Sequence, residues 1–212
     1  GKTCKSFSLS SPFEESAQYV MTGLRASYDY LPLSHYQAAG KAHEILHWDR
    51  NSRFCSACGT PMEQKEDIMK RCPKCGREVY PSISTAILVL VRKEDSLLLV
   101  HARNFKGTFN SLVAGFLETG ETLEECVARE VKEETGLDIA GCRYLFSIPN
   151  LYPYSGFEVH TVDMFFECLT ESFDGAKAED DAAEIIILPA NQLNSDDFGL
   201  QSIKKAVDRY IK

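Results

Sequence analysis

Between residues 115 and 137 the chain reads GFLETGETLEECVAREVKEETGL, with seven Glu among 23 residues. Glu130, Glu133 and Glu134 follow at steps of three and four, which on a helix stacks three carboxylates along one strip. Like charges placed this way repel, at on the order of 0.2 to 0.5 kcal/mol per neighbouring pair and more where they are partly buried. A divalent cation turns that penalty into a ligand set. Oxygen-only donors favour a hard ion, Mg²⁺ or Mn²⁺, over zinc. The plain alternative is a solvated acidic face. Against it stands the preceding loop, where Gly115 opens a turn that brings a backbone carbonyl near the helix start and Glu121 and Arg129 can pair across loop and helix.

A second constellation precedes the first. FCSACG and RCPKCG place Cys55, Cys58, Cys72 and Cys75 in a C-x2-C-x13-C-x2-C arrangement, each pair followed by a glycine. Two-residue gaps let both thiolates of a pair face one ion, and four sulfurs close the coordination sphere of Zn²⁺. Such a site is structural, with no open position for chemistry. Cys4, Cys126, Cys142 and Cys168 have no ligand spacing and read as ordinary thiols.

These groups need elements to hold them. Thr122 with Glu125 makes a capping box and Gly136 a left-handed stop, so a helix of about Leu123 to Thr135 is predicted, with Leu123, Val127 and Val131 as its buried stripe. Residues 53 to 77 have too few apolar side chains for a core, so the metal must organise them. SPFE at 11 to 14 with Phe13, Ala17, Val20, Leu24 and Tyr28 predicts a first helix, and a second runs from about Ser34 to Asp49. After Pro81, STAILVLVRKEDSLLLVHAR reads as a hairpin turning at Lys93 to Asp95. Strands follow near Ser111 to Ala114, Cys142 to Ile148, Phe157 to Leu169 and Glu184 to Leu188, then a helix from about Gln201 to Ile211. The expected organisation is α+β: an N-terminal helical segment over 1–50, a zinc ribbon over 51–80 and a sheet covered by helices over 81–212.

Composition narrows the function classes. A formal charge of −8 disfavours sequence-independent binding of long nucleic acid by the whole chain. Between 50 and 80, however, seven Lys and Arg face four acids, a solvated face or a landing surface for RNA phosphates. The longest apolar run, AILVLV, is too short to span a bilayer, and the expected location is cytoplasmic with no membrane contact.

The pattern G-x5-E-x7-R-E-U-x-E-E-x-G-U, where U is aliphatic, is the Nudix box. Gly115, Glu121, Arg129, Glu130, Val131, Glu133, Glu134, Gly136 and Leu137 fill its fixed positions. A zinc ribbon directly before it resembles the NADH pyrophosphatase family, from about residue 35 to 170. The resemblance implies a Nudix α/β/α sandwich with a mixed sheet. It also implies that Glu130, Glu133 and Glu134, with the Gly115 carbonyl, hold Mg²⁺ or Mn²⁺ against a diphosphate. Glu121 and Arg129 would then be structural supports and one helix carboxylate the base. Glu167 stands where the family has a further acidic residue near the metals.

By the same likeness Tyr80, in Tyr80-Pro81, and Phe116, in Ala114-Gly115-Phe116, stack on a planar ring. Packing in the core is an equally good reading of both. A homodimer composing the slot from two protomers is also implied. The family's SQPWPFPxS appears as SIPNLYPYS, with Ser147, Tyr152 and Ser155 as substrate-binding candidates and Ile148 and Asn150 replacing an amide and an indole. Buried polar readers set discrimination strongly, so that change bears on specificity.

The leading expectation is a pyrophosphohydrolase that cuts NADH or NAD⁺ to a mononucleotide and AMP and extends to NAD-capped RNA. A hydrolase of ADP-ribose or another nucleoside diphosphate is the enzymatic alternative. A nucleotide-sensing regulator without turnover would be expected to lose box carboxylates and carry a helical DNA reader.

Overall fold

A computed structural model of the chain describes residues 5–24, 26–103, 109–154, 157–180 and 182–211. They fall into two units, one up to Ser82 and one from Ile83 onward.

In the first unit α1 spans Leu33–Asn51 and runs into the cysteine segment, where β1 (Glu63–Glu66), β2 (Met69–Arg71) and β3 (Glu78–Val79) form a small antiparallel sheet. Helix and ribbon therefore share one unit. Lys70 joins them: its Nζ lies 2.7 Å from both the carbonyl and Oδ1 of Asp49 and 5.2 Å from the centre of the buried Trp48 ring. The helix predicted over 11–28 does not form. Its described part holds an isolated bridge between Ser16 and Tyr19, and only Ala26–Asp29 makes a short 3-10 turn. Phe13, Tyr19 and Val20 are exposed, so the apolar stripe gains no packing, and an unpacked helix of that length is marginal in water.

The second unit is built on a six-stranded mixed sheet. β4 is Ser84–Lys93, β5 Ser96–Ala102, β6 Val113–Phe116, β7 Gly141–Tyr154, β8 Phe157–Leu169 and β9 Ala182–Pro189. Their order is β7-β8-β4-β5-β9, with β6 also paired to β4. The β4–β5 hairpin turns at Glu94 and Asp95, and Glu94 takes the left-handed backbone (φ 50°) such a tight turn requires. β4 is apolar at every step from Ala86 to Val91 because both sheet faces are covered there. Ile87, Val89 and Val91 pack with Val127 and Val131 of α2 (Leu123–Thr135). Leu88 and Leu90 pack with Ile203, Ala206 and Val207 of α3 (Gln201–Tyr210). Sheet and two helices make the expected α/β/α sandwich.

β7 is longer than predicted. It continues through Pro149 and Pro153, so PNLYPY, beyond the expected end at Ile148, is strand as well. Two prolines are tolerated because β7 is an edge strand with one side unpaired.

Candidate active site and zinc centre

α2 is fixed at both ends. Glu125 N donates to Thr122 Oγ1 (3.2 Å) and Thr122 N to Glu125 Oε2 (2.7 Å), while Gly136 closes the helix at φ 72° with its N–H on Lys132 O. β6 brings Gly115 opposite Ile87 in the centre of the sheet. A Cβ at Gly115 would overlap the Glu130 carboxylate, so only glycine lets that carboxylate lie against the strand.

Arg129 organises the rest. Its Nη2 and Nε grip Glu121 at 2.7 Å to Oε1 and 3.1 Å to Oε2, and Nη2 also reaches the Phe116 carbonyl at 3.2 Å. Its Nη1 donates to Glu130 Oε1 (2.7 Å) and Glu133 Oε2 (3.2 Å). Glu121 Oε1 also accepts from Glu118 N at 2.7 Å. The loop is thereby tied to the helix through one guanidinium. Arg129 beside it holds Glu121 down to about 2. Burial pushes the Glu130 carboxyl above the usual range against the pull of Arg129, and it pushes the neighbouring Cys126 thiol up to about 12.

Glu133 is half-exposed, whereas Glu134 is buried at 6 % exposure and its backbone carbonyl accepts from Glu179 N at 3.0 Å. Among the described residues the three helix carboxylates do not converge on one point: the four cysteines form the one group of potential ligands whose atoms all lie within 4.8 Å. Arg129 holds Glu130 and Glu133 instead. All-oxygen donors around a cradle kept open by Gly115 fit a hard divalent cation.

Glu167 does not join this set. Its Oε2 pairs with Arg143 Nη2 (2.7 Å), and its Oε1 accepts from Tyr210 Oη (2.6 Å) with Arg92 Nη1 at 3.4 Å. Its strand neighbours Phe166 and Cys168 pack with α2. Glu167 therefore projects to the α3 face, where Tyr210 meets it. Burial pushes its carboxyl up, but Tyr210, Arg143 and Arg92 together hold it below the usual range. Glu179, which the sequence reading did not single out, is the acidic residue laid at the end of α2. One more Glu in an acidic loop gives no signal of its own.

The substrate-binding candidates belong to different elements. Phe116 is half-buried on β6. Tyr80 belongs to the first unit, 49 % exposed, with its hydroxyl 3.1 Å from Glu78 Oε2. Ser147 is exposed and pairs with Met164, which packs with the α2 cluster. Tyr152 lies on β7 with its side chain outside the description, and Ser155 lies outside the described residues. Ile148 packs with the α3 cluster, and Asn150 Nδ2 donates to Asp163 Oδ2 (2.9 Å), which also accepts from Thr161 through Oδ1 (2.6 Å). Both departures from the SQPWPFPxS pattern thus serve the α3 side of the sheet.

In the ribbon, Cys55–Cys75, Cys58–Cys72 and Cys58–Cys75 sulfurs stand 3.6, 3.5 and 3.7 Å apart. Sulfurs about 2.3 Å from one tetrahedral zinc would stand about 3.8 Å apart, so the cluster fits that ion. The two knuckles repeat one design. Cys55 N bonds Thr60 O and Cys72 N bonds Arg77 O, both at 2.8 Å, and Gly59 and Gly76 follow at φ 70° and 77°.

Comparison with known proteins follows the same divisions. Residues 82–210 match the family described as NUDIX domain, 50–80 the NADH pyrophosphatase zinc ribbon domain and 1–48 the NADH pyrophosphatase-like rudimentary NUDIX domain. The chain is 42 % identical over 133 residues to the NAD-capped RNA hydrolase NudC of Chromobacterium violaceum, covering 62 % of this chain and 50 % of that protein. It is 40 % identical over 155 residues to the protein of the same name from Deinococcus radiodurans, covering 70 % and 55 %. The chain thus spans about half the length of these curated relatives. Among solved structures, a NUDIX hydrolase from Nitrosomonas europaea superposes with a TM-score of 0.56 at 23 % identity, over 75 % of this chain and 90 % of that one. The E. coli dihydroneopterin triphosphate pyrophosphohydrolase gives 0.51 at 19 %, over 60 % and 94 %. Both likenesses concern the fold.

Proposed function

The chain belongs to the Nudix family, in its NADH pyrophosphatase-like branch with a zinc ribbon, and on that premise we propose that it hydrolyses the diphosphate of NADH or NAD⁺ and of NAD-capped RNA. Water supplies one oxygen, one bridging P–O bond breaks, and nicotinamide mononucleotide and AMP, or an RNA ending in AMP, leave as phosphomonoesters. The observation that carries this reading is the set of Glu130, Glu133 and Glu134 on a helix locked by Arg129, downstream of a ribbon of the NADH pyrophosphatase type.

Glu130, Glu133 and Glu134, beside Gly115, would hold Mg²⁺ or Mn²⁺. When bound, such ions neutralise charge on the diphosphate oxygens and lower the pKa of a water. Glu130 and Glu133 can turn from the Arg129 guanidinium toward a cation, and one of the three helix carboxylates takes the proton of the attacking water. Arg129 and Glu121 are positioning residues, holding the end of β6 at Phe116 and the loop that follows it against α2. The zinc is structural. Four zinc-binding thiolates suit a reducing compartment, here the cytoplasm, and no described helix is long and apolar enough to cross a membrane.

The test is a comparison of kcat/KM for NADH, NAD⁺, NAD-capped RNA, ADP-ribose, FAD and diadenosine polyphosphates with Mg²⁺ or Mn²⁺. The reading requires the nicotinamide substrates to lead and Glu134→Gln to lose at least about a hundredfold in kcat. Unchanged turnover in that variant would falsify it. A second reading, ADP-ribose or another nucleoside diphosphate as the preferred substrate, is favoured by Ile148 and Asn150 at the altered positions of β7.

A further inference from the structure

Charge in the ribbon is sorted by position. Lys70 is taken up by Asp49, Lys65 by Glu63 (2.7 Å) and Arg71 by Glu78. That leaves Arg53, Lys74 and Arg77, all exposed and none with a carboxylate partner among the described residues. Each lies within two residues of a zinc-site cysteine, so each Cα stands within about 12 Å of the sulfur cluster by the reach of the backbone. Asp67 and Glu66 lie elsewhere, Asp67 in the turn of the β1–β2 hairpin and Glu66 beside it, paired with Met69. Three strand steps of about 3.3 Å separate Glu66 from Glu63. The knuckle end is therefore positive within a chain whose formal charge is −8. Between Arg53 and Cys55 stands Phe54, an aromatic ring 61 % exposed and tied by its backbone to Pro61.

Unpaired cations around an exposed ring are what a single strand needs: salt-sensitive contacts to phosphates and a flat face for a base of any identity. We propose that the knuckle end of the zinc ribbon, through Arg53, Lys74, Arg77 and Phe54, binds the single-stranded RNA that follows an NAD cap. This surface recruits RNA without reading its sequence, while free NADH, which has no such chain, does not use it. The inference rests on the proposed activity toward capped RNA. Cations at this end also offset the charge of a tetrathiolate zinc centre, so zinc content belongs in the test.

The experiment compares the full chain with the triple variant Arg53→Glu, Lys74→Glu, Arg77→Glu, with the same three residues changed to Gln, and with Phe54→Ala. Zinc content is measured first, then KM and kcat for NADH and for a short 5′-NAD-capped RNA across a KCl series. The expected result is unchanged NADH turnover and at least a tenfold higher KM for capped RNA in the Glu triple. The slope of log KM against log salt should fall by about 2, as three lost single-strand phosphate contacts require. Equal effects on both substrates, no effect on RNA, or zinc loss in both triples would overturn the inference. Should the unaltered protein cleave neither substrate, anisotropy of a labelled single-stranded RNA decides separately. Salt-dependent binding abolished in the Glu triple upholds the surface even though the hydrolase reading has failed, and absence of binding removes it.

Discussion

Arg129 and Glu121 meet through two parallel contacts, 2.7 Å from Nη2 to Oε1 and 3.1 Å from Nε to Oε2, and the same guanidinium reaches the Phe116 carbonyl and Glu130. Lysine carries the charge but cannot make this fork. Arg129→Lys is expected to destabilise the second unit by about 1–3 kcal/mol, the cost of leaving a partly buried acceptor unmatched. Loss of orientation around a metal site typically costs 10- to 100-fold, so kcat/KM should fall by about that factor. Thermal unfolding and steady-state kinetics check the two effects, and a variant indistinguishable from the parent in both would refute the lock.

Gly115→Ala puts a methyl group where the Glu130 carboxylate lies. The obstacle is the end of a flexible side chain, so the fold should survive with an unchanged circular dichroism spectrum. The carboxylate must move, and Mn²⁺ affinity should drop by about 10- to 100-fold. Calorimetric titration with Mn²⁺ reads this directly, and native affinity in the variant would show that Glu130 is not a ligand.

Two carboxylates give the stability–pH curve opposite slopes on the acid side. Glu121 is held down to about 2 by Arg129, so its contribution is present above the unfolded carboxylate value of about 4.3 and is lost as pH falls toward 2. Asp163 is raised by burial despite donors from Thr161 and Asn150, and its charged form is the unfavourable one. Its penalty is relieved on acidification through a window beginning above its ordinary 3.8. Glu121→Gln should flatten the stability loss between about pH 4 and 2. Asn150→Ala should destabilise by about 1–3 kcal/mol at pH 7 and by less at pH 4, as a charged Asp163 loses a donor. Chemical denaturation across pH measures both, and parallel curves for variant and parent would reject the assignment.

Zinc removal is expected to act on the first unit. Trp48 is the single tryptophan of the chain and is buried beside Lys70, so its emission reports on helix and ribbon. Chelation, or Cys72→Ser, should shift that emission to the red, while the 83–212 unit, with its own two-faced core, keeps its unfolding midpoint. Unshifted emission after verified zinc loss would mean that the ribbon holds without metal.

The sequence makes some of these features legible and hides others for physical reasons. α2 is readable because its caps, stripe and stop are all local, and the cysteine site because its spacing alone fixes the geometry. The 11–28 segment misleads because its apolar period is genuine, yet a helix needs a surface to bury it on. Glu167 lies on the α3 face, with Arg143 and Tyr210, because a one-residue alternation along β8 decides which face a side chain joins, and sequence position does not carry that phase. The extent of β7 is hidden by prolines that normally punctuate strands, which only its place at the sheet edge permits.

That edge constrains how copies of the chain can meet. Pro149 and Pro153 remove two donors from the same side of β7 as Leu151, so an incoming strand would find a broken ladder there. Any dimer formed along this stretch must therefore be held by side chains, and this end of β7 is protected from adding strand after strand into an aggregate.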